Sequence, residues 1–236
     1  MGLRVNTNIF SLNAQRNLNN VTSRLSGNFQ RLSSGLRIAS ASDDAAGLGI
    51  SERMRSNIRS LGAAGRNTQD GISLAQTAEG ALNEVSSNLV RMRELAVQAS
   101  NGTLNTTDRA TIDDEFQALS TEIERIADTT TFNDVSLLNS TTTIDIQVGL
   151  DSATTLVIDL QDVQEATLGI DSSDLTTSSN AGTALGALDT AINTVNGSRG
   201  ELGASINRLQ SAFRSISSSR ENLSASESRI RDVDIA

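Results

Sequence analysis

The stretch 183–233, TALGALDTAINTVNGSRGELGASINRLQSAFRSISSSRENLSASESRIRDV, decides the fold. Leu188, Val195, Leu202, Leu209, Ile216, Leu223 and Ile230 recur every seven residues. A second line lies between them: Leu185, Ile192, Arg199, Ile206, Phe213, Arg220 and Glu227, apolar at Leu185, Ile192, Ile206 and Phe213. The combined spacing averages about 3.5 residues, the coiled-coil period, and predicts one long helix with a continuous apolar seam. At 1.5 Å per residue that helix is roughly 70 Å long. Alone it would be unstable, because most helical stability comes from packing the apolar face. Something must cover the seam.

The covering elements lie upstream. Leu74, Ala78, Ala81, Val85, Leu89, Met92, Leu95 and Ala99 form a helical stripe whose small alanines permit close approach. Asn101-Gly102-Thr103 should end it, with Gly102 as the residue past the C-cap. Thr106, Thr107 or Asp108 begins the next helix, with a seam of Ile112, Phe116, Leu119, Ile123 and Ile126. The short loop makes these two helices antiparallel. Further upstream, Ile50, Met54, Ile58 and Leu61 continue a helix that Ser42 or Asp43 can cap. Asn67 to Gly71 interrupts or weakens it.

Residues 1–42 differ from the rest. They carry Arg4, Arg16, Arg24, Arg31 and Arg37 and no acid. Apolar residues fall at Val5, Ile9 and Leu12, then at Leu18, Val21, Leu25, Phe29, Leu32 and Leu36. The second group steps at helical spacing and predicts an amphipathic helix with a narrow stripe, set among Asn and Ser that form helices poorly. Three uses compete for it: a partner-binding or assembly helix, an ordinary surface helix, or a basic helix on membranes or nucleic acid. The polar face is mostly Asn, Gln and Ser, too dilute in charge for electrostatic docking, so we expect no nucleic-acid and no membrane partner.

Period two replaces the helical period after residue 139. Ile144, Ile146 and Val148 alternate with polar residues, as do Leu156, Ile158 and Leu160, around a loop from Gly149 to Thr154. This is a β-hairpin with a loop of several residues. Between Arg125 and Arg199 there are ten acids and no basic residue. The expected fold is mainly α: an elongated antiparallel coiled-coil helix bundle with a small β-hairpin region. Its parts are an assembly helix at 1–42, the first bundle segment at 43–139, the hairpin and acidic connector at 140–182, and the long C-terminal helix at 183–236.

Composition narrows the chemistry. The chain has 236 residues and no His, Cys, Tyr, Trp or Pro, and each of its 19 basic side chains is Arg. The usual general bases and activated nucleophiles are therefore absent, and Ser has no His or Lys to activate it. Zinc sites need His or Cys in nearly every case. No D-x-[DN]-x-[DN]-G loop and no phosphate-binding glycine motif occurs. We expect no enzyme activity, no cofactor and no metal. Neither a signal-peptide core nor a membrane-length apolar run is present.

Several motifs then carry a resemblance. Leu3-Arg-Val-Asn-Thr-Asn8, Leu32-Ser-Ser-Gly-Leu-Arg-Ile38, Asp43-Asp-Ala-Ala-Gly-Leu-Gly-Ile-Ser51, Asn67-Thr-Gln-Asp-Gly-Ile-Ser-Leu-Ala-Gln76, Arg93-Glu-Leu-Ala-Val-Gln98, Thr131-Phe-Asn133 and Ser228-Arg-Ile-Arg-Asp-Val-Asp234 resemble bacterial flagellin in order along nearly the whole chain. The resemblance implies a filament subunit that polymerises with copies of itself, outside the cell, after passage through the flagellar export machinery without a cleaved signal. It implies that residues 1–42 line the inner tube, and that Ile9, Leu12, Leu18, Val21, Leu25, Phe29, Leu32 and Leu36 serve self-assembly. Variable outer domains of larger members have almost no counterpart here. Flagellins continue past Asp-Val-Asp-Ile-Ala into a terminal helix that also binds an export chaperone, whereas this sequence stops at Ala236. The resemblance further implies recognition by Toll-like receptor 5 through Arg91, Leu95 and Glu115. The competing assignment is a hook–filament junction protein or another coiled-coil adaptor with similar ends.

Overall fold

A computed structural model describes residues 8–234. Val5 and the first residues of the Leu3–Asn8 motif therefore lie outside the described residues. The elements are α1 (Ile9–Ser34), α2 (Ala45–Ala99), α3 (Thr106–Thr129), β1 (Thr131–Phe132), β2 (Val135–Ser136), β3 (Thr142–Gln147), β4 (Thr155–Leu160), α4 (Glu165–Leu168) and α5 (Ser178–Arg231). They divide into two compact units, one of residues 61–217 and one of residues 1–60 with 218–236. Of the boundaries expected at 42 and 183, position 42 lies in the turn between α1 and α2 and position 183 lies within α5. The divisions after residues 60 and 217 fall inside α2 and α5, and α5 starts at Ser178.

In the larger unit the seam is α2 against α5. Arg93 Nε donates to Asp189 at 2.6 Å and Arg199 Nη2 to Glu79 at 2.9 Å. A Cβ built on Gly65 would touch Ile216 at 3.8 Å. As the α2 partner moves down the chain the α5 partner moves up, so the helices are antiparallel. On α2, Leu61, Ala64, Thr68, Gly71, Ala75, Ala78, Leu82, Val85, Leu89, Met92, Ala96 and Ala99 are all buried, in alternating steps of three and four. That is the 3.5-residue period of a helix whose seam stays facing its partner. Leu82, not Ala81, holds the buried position; Ala81 is half-buried.

On α5 the heptad line is buried from Leu188 through Val195, Leu202 and Leu209 to Ile216. The second line is displaced. Ala184, Ala191 and Ser198 are buried, while Leu185, Ile192, Arg199 and Ile206 beside them are half-buried and Phe213 is exposed. The physical reason is size. Close-packed helices put small residues at the point of nearest approach and let larger ones flank it. The buried hydroxyls are satisfied within their own helices: Thr68 Oγ1 donates to Ala64 O at 2.7 Å and Ser198 Oγ to Thr194 O at 3.0 Å.

Gly71 explains the weak stretch within α2. The helix is continuous there, and β3 lies against it. A Cβ on Gly71 would come within 2.9 Å of Ile146 Cγ1, and Asn67 Nδ2 donates to Gln147 O at 3.3 Å. The glycine is where the hairpin seats. The hairpin forms as expected, with Ile144 opposite Ile158 and Ile146 opposite Leu156. A second, tighter hairpin precedes it. Asn133 (φ 49°) and Asp134 (φ 63°) turn β1 back on β2. Two left-handed residues make a type I′ turn, and Asn and Asp tolerate that region best after glycine.

Helix α3 runs antiparallel to α2 and buries Phe116, Ser120, Ile123 and Ala127, with Ile112, Leu119 and Ile126 half-buried beside them. Asn105 caps it, accepting from Asp108 N at 2.8 Å. Gly102 does not take the left-handed conformation expected of it. Instead Arg109, itself buried, donates through Nε to Ala99 O (2.9 Å) and through Nη2 to Asn101 O (2.8 Å). A guanidinium fork satisfies the last carbonyls of α2, so no glycine cap is needed.

Candidate functional site

Helix α1 is built to stand without a core. Asn8 accepts from Phe10 N (3.1 Å) and Ser11 N (3.2 Å), closing the start. Gly35 (φ 68°) ends the helix in the left-handed conformation, and Arg31 sits in the last turn against the helix dipole. No residue of α1 is buried. Ile9, Phe10, Leu12, Leu18, Val21, Leu25, Phe29 and Leu32 are 51–73% exposed. Fully burying one such side chain contributes about 1.5–3 kcal/mol, so the run holds on the order of 10 kcal/mol of unused association energy.

The helix arranges these residues on two sides. Leu18, Val21, Leu25, Phe29 and Leu32 share one face, and Phe10 and Ala14 extend it toward the start at steps of four. Ile9 and Leu12 fall roughly 140–160° around at 3.6 residues per turn. The residues expected to serve self-assembly thus form two patches, and Phe10, the most exposed of the apolar residues, belongs to the longer one. A helical count that began at Leu18 left Phe10 out. Leu36 belongs to neither patch. The helix stops at Ser34, and Leu36 is half-buried in a backbone bridge with Asp232.

That bridge is part of a latch within the smaller unit. Arg37 N donates to Arg231 O (2.7 Å), Val233 N donates to Gly35 O (3.0 Å), and Arg37 Nη2 donates to Ile230 O (2.6 Å). The segment after α1 therefore caps the carboxyl end of α5. Arg231 also reaches Glu52 at 2.8 Å, and that hydrogen bond is the main cause that holds the Glu52 carboxyl below its ordinary pKa. Nearby, Asp44 rather than Ser42 or Asp43 caps α2, accepting from Gly47 N at 2.9 Å. Asp43 closes the preceding turn instead. It accepts from Ser40 N and Ala39 N and pairs with Arg31 at 3.2 Å, and the Ser40 hydrogen bonds lead the causes that lower its pKa. Gly47 lies under Ile38, where a Cβ would come within 2.7 Å of Ile38 Cδ1.

The second candidate surface is on α2 and α3. Arg91 Nε and Nη2 both donate to Glu115 Oε1, at 2.9 and 2.8 Å, and Nη1 donates to Glu94 at 3.1 Å. These bonds raise the Arg91 pKa, with Glu115 the leading cause. Both side chains are about half exposed. Leu95 is not on this surface. It is 2% exposed, on the seam side of α2, because its turn of the helix packs inward. Among the described residues no group of His, Cys, Asp and Glu could hold a metal ion, and no helix is long and apolar enough to cross a membrane.

An uncovered apolar helix at one end of the sequence and a long two-helix seam through the rest fit a polymerising subunit. The family model described as the bacterial flagellin N-terminal helical region matches residues 5–143, and that of the C-terminal helical region matches residues 185–236. The chain belongs to the bacterial flagellin family. A flagellin of Halalkalibacterium halodurans is 49% identical over 235 residues, covering 98% of this chain and 86% of that one. A flagellin of Salmonella dublin is 55% identical over 135 residues, which is 57% of this chain and 27% of that one. The Bacillus cereus flagellin crystal structure is 37% identical with a TM-score of 0.59, covering 64% of this chain and 88% of that one. A putative flagellar hook-associated protein of Vibrio parahaemolyticus shares the fold, with a TM-score of 0.68 at 16% identity over 80% of this chain and 100% of that one. Flagellins are structural subunits of the extracellular flagellar filament, not enzymes, and the mainly α architecture with its small β part agrees with the flagellin structures.

Proposed function

We propose that α1 is the contact through which subunits of this flagellin assemble, with Phe10, Leu18, Val21, Leu25, Phe29 and Leu32 on one neighbour and Ile9 and Leu12 on another. One observation carries this reading: a capped helix with a long apolar stripe buries none of its residues in its own chain. Contacts of this kind that do not close on themselves generate helical filaments. The test is electron microscopy of the chain under precipitating conditions beside Leu25→Asp and Phe29→Asp. Filaments from the parent and none from the variants, whose monomers keep their circular dichroism, support the assignment. Filaments from both variants refute it, and their appearance with capped short ends only would favour the junction-protein alternative. A helix that gains its stability on assembly also suits passage through the flagellar secretion channel, and secretion that persists in cells lacking that channel would count against this.

A second reading concerns Toll-like receptor 5. The exposed Arg91–Glu115 pair bridging α2 and α3 supports a recognition surface there. Leu95, buried beneath it, would position the helix rather than touch the receptor. The double variant Arg91→Ala, Glu115→Ala should abolish receptor signalling with the monomer still folded. Unchanged signalling defeats the assignment.

A further inference from the structure

The sequence holds an Asn-Gly step at Asn101–Gly102 and another at Asn196–Gly197, and the fold treats them differently. The second lies in the interior of α5, where the Gly197 N–H is tied into the helical ladder. The first lies in the loop between α2 and α3. There both residues are exposed, and the Gly102 N–H meets no acceptor among the described residues. Nothing lies within 4 Å of the place where a Gly102 Cβ would sit. Asn101 Oδ1 accepts from Thr103 N at 3.2 Å. That bond folds the carboxamide back over Gly102 and draws electron density from Cγ.

We propose that Asn101 is a site of spontaneous deamidation, while Asn196 is protected. The Gly102 nitrogen gives its proton to solvent base and attacks Asn101 Cγ. The Cγ–Nδ2 bond breaks and ammonia leaves, closing a five-membered succinimide. Water then opens the ring at either carbonyl and leaves aspartate or isoaspartate. No electron is transferred; one water is consumed and one ammonia is lost. The structural consequence falls on Arg109. The Asn101 carbonyl accepts from its buried guanidinium, and isoaspartate inserts a methylene into the backbone at that point. Modification therefore loosens the capped end of α2. Subunits of an extracellular filament would accumulate this change with age.

The test is timed incubation of the full chain in mildly alkaline buffer, followed by peptide mapping with mass spectrometry and an isoaspartate assay. The peptide with Asn101 should convert at least about tenfold faster than the peptide with Asn196, because the helix must first open locally for the latter. Gly102→Ala should slow conversion at Asn101 by a similar factor. It should fold normally, since open space receives the Cβ and the backbone there is not left-handed. In denaturant, the two steps should convert at similar rates. Equal rates in the folded chain, or no conversion at Asn101 on the timescale seen in denaturant, overturns the proposal.

Discussion

Helix α1 and helix α5 both carry apolar side chains at helical spacing, yet one hides its stripe and the other does not. On α5, Leu188, Val195, Leu202 and Leu209 are buried, while α1 has no buried residue at all. Apolar content is not the difference. On α5 small residues alternate with large ones, so Ala184, Ala191 and Ser198 let α2 come close. The α1 stripe presents Leu, Val and Phe among Asn, Gln and Ser, and no other element of the chain buries them. A stripe becomes core where its own chain supplies a complementary surface. Elsewhere it is an interface in waiting.

The widest gap between the two helices should appear in stability. Leu209 is 1% exposed, so Leu209→Ala should cost about 2–5 kcal/mol in denaturant unfolding of the unassembled chain. Leu25→Ala on α1 should change that stability by less than about 0.5 kcal/mol, as ordinary surface changes do, while weakening assembly. Similar costs at the two positions would break the contrast.

Glycines on the same long helix sharpen it further. Gly71→Ala should destabilise by about 1–3 kcal/mol, the usual cost of overpacking, because its Cβ meets Ile146. Gly65→Ala finds only ordinary contacts with Phe213 and Ile216 and should stabilise by up to about 1 kcal/mol through helix propensity. Calorimetry that gave both changes the same sign would mean that the hairpin does not seat at Gly71.

Arg37→Ala removes the side-chain cap on the carbonyls of α5. A loss of about 1 kcal/mol is expected, read as faster amide exchange at Arg37, Ile38 and Val233 with the α2–α5 seam unchanged. Exchange that quickened equally at Leu209 would show that the latch and the seam are one cooperative body.

The smallest effect is a pH response. Hydrogen bonds from Ser40, Arg93 and Arg231 hold the Asp43, Asp189 and Glu52 carboxyls, respectively, below their ordinary pKa values. A group with a depressed folded pKa contributes stability above its unfolded value, and that stability is lost as pH falls through the folded one. Both sides of the molecule should therefore weaken only below about pH 4.5, and Asp43→Asn should flatten the response of the 39–43 turn alone. An acid response at near-neutral pH would contradict this.

Much of the fold was legible in advance, and the misses have a common cause. The long helices, the β3–β4 hairpin and the line from Leu188 to Ile216 follow from periodicity, which a stretch of chain carries in itself. The small buried residues of α5, Ala184, Ala191 and Ser198, were missed because the large residues beside them, Leu185, Ile192 and Arg199, complete a heptad line of their own. The Asn133–Asp134 turn was missed although Asn-Asp between Phe132 and Val135 is a hairpin signal. Arg109 and Arg37 were missed because a capping guanidinium is an ordinary Arg until the carbonyls it serves are in place. Periodicity put Leu95 on the buried stripe, where it lies, and only the resemblance gave it a receptor role; Leu36 was read with the α1 stripe because its spacing fits, although the helix stops at Ser34.

By itself, the sequence determined that this chain makes long helices, a hairpin and an amphipathic N-terminal helix, because spacing, caps and side-chain size act locally. Only the tertiary structure decided which stripe is covered, since that depends on whether a distant segment offers a matching surface. It decided for α2 and α5, whose small residues let them meet, and left α1 bare.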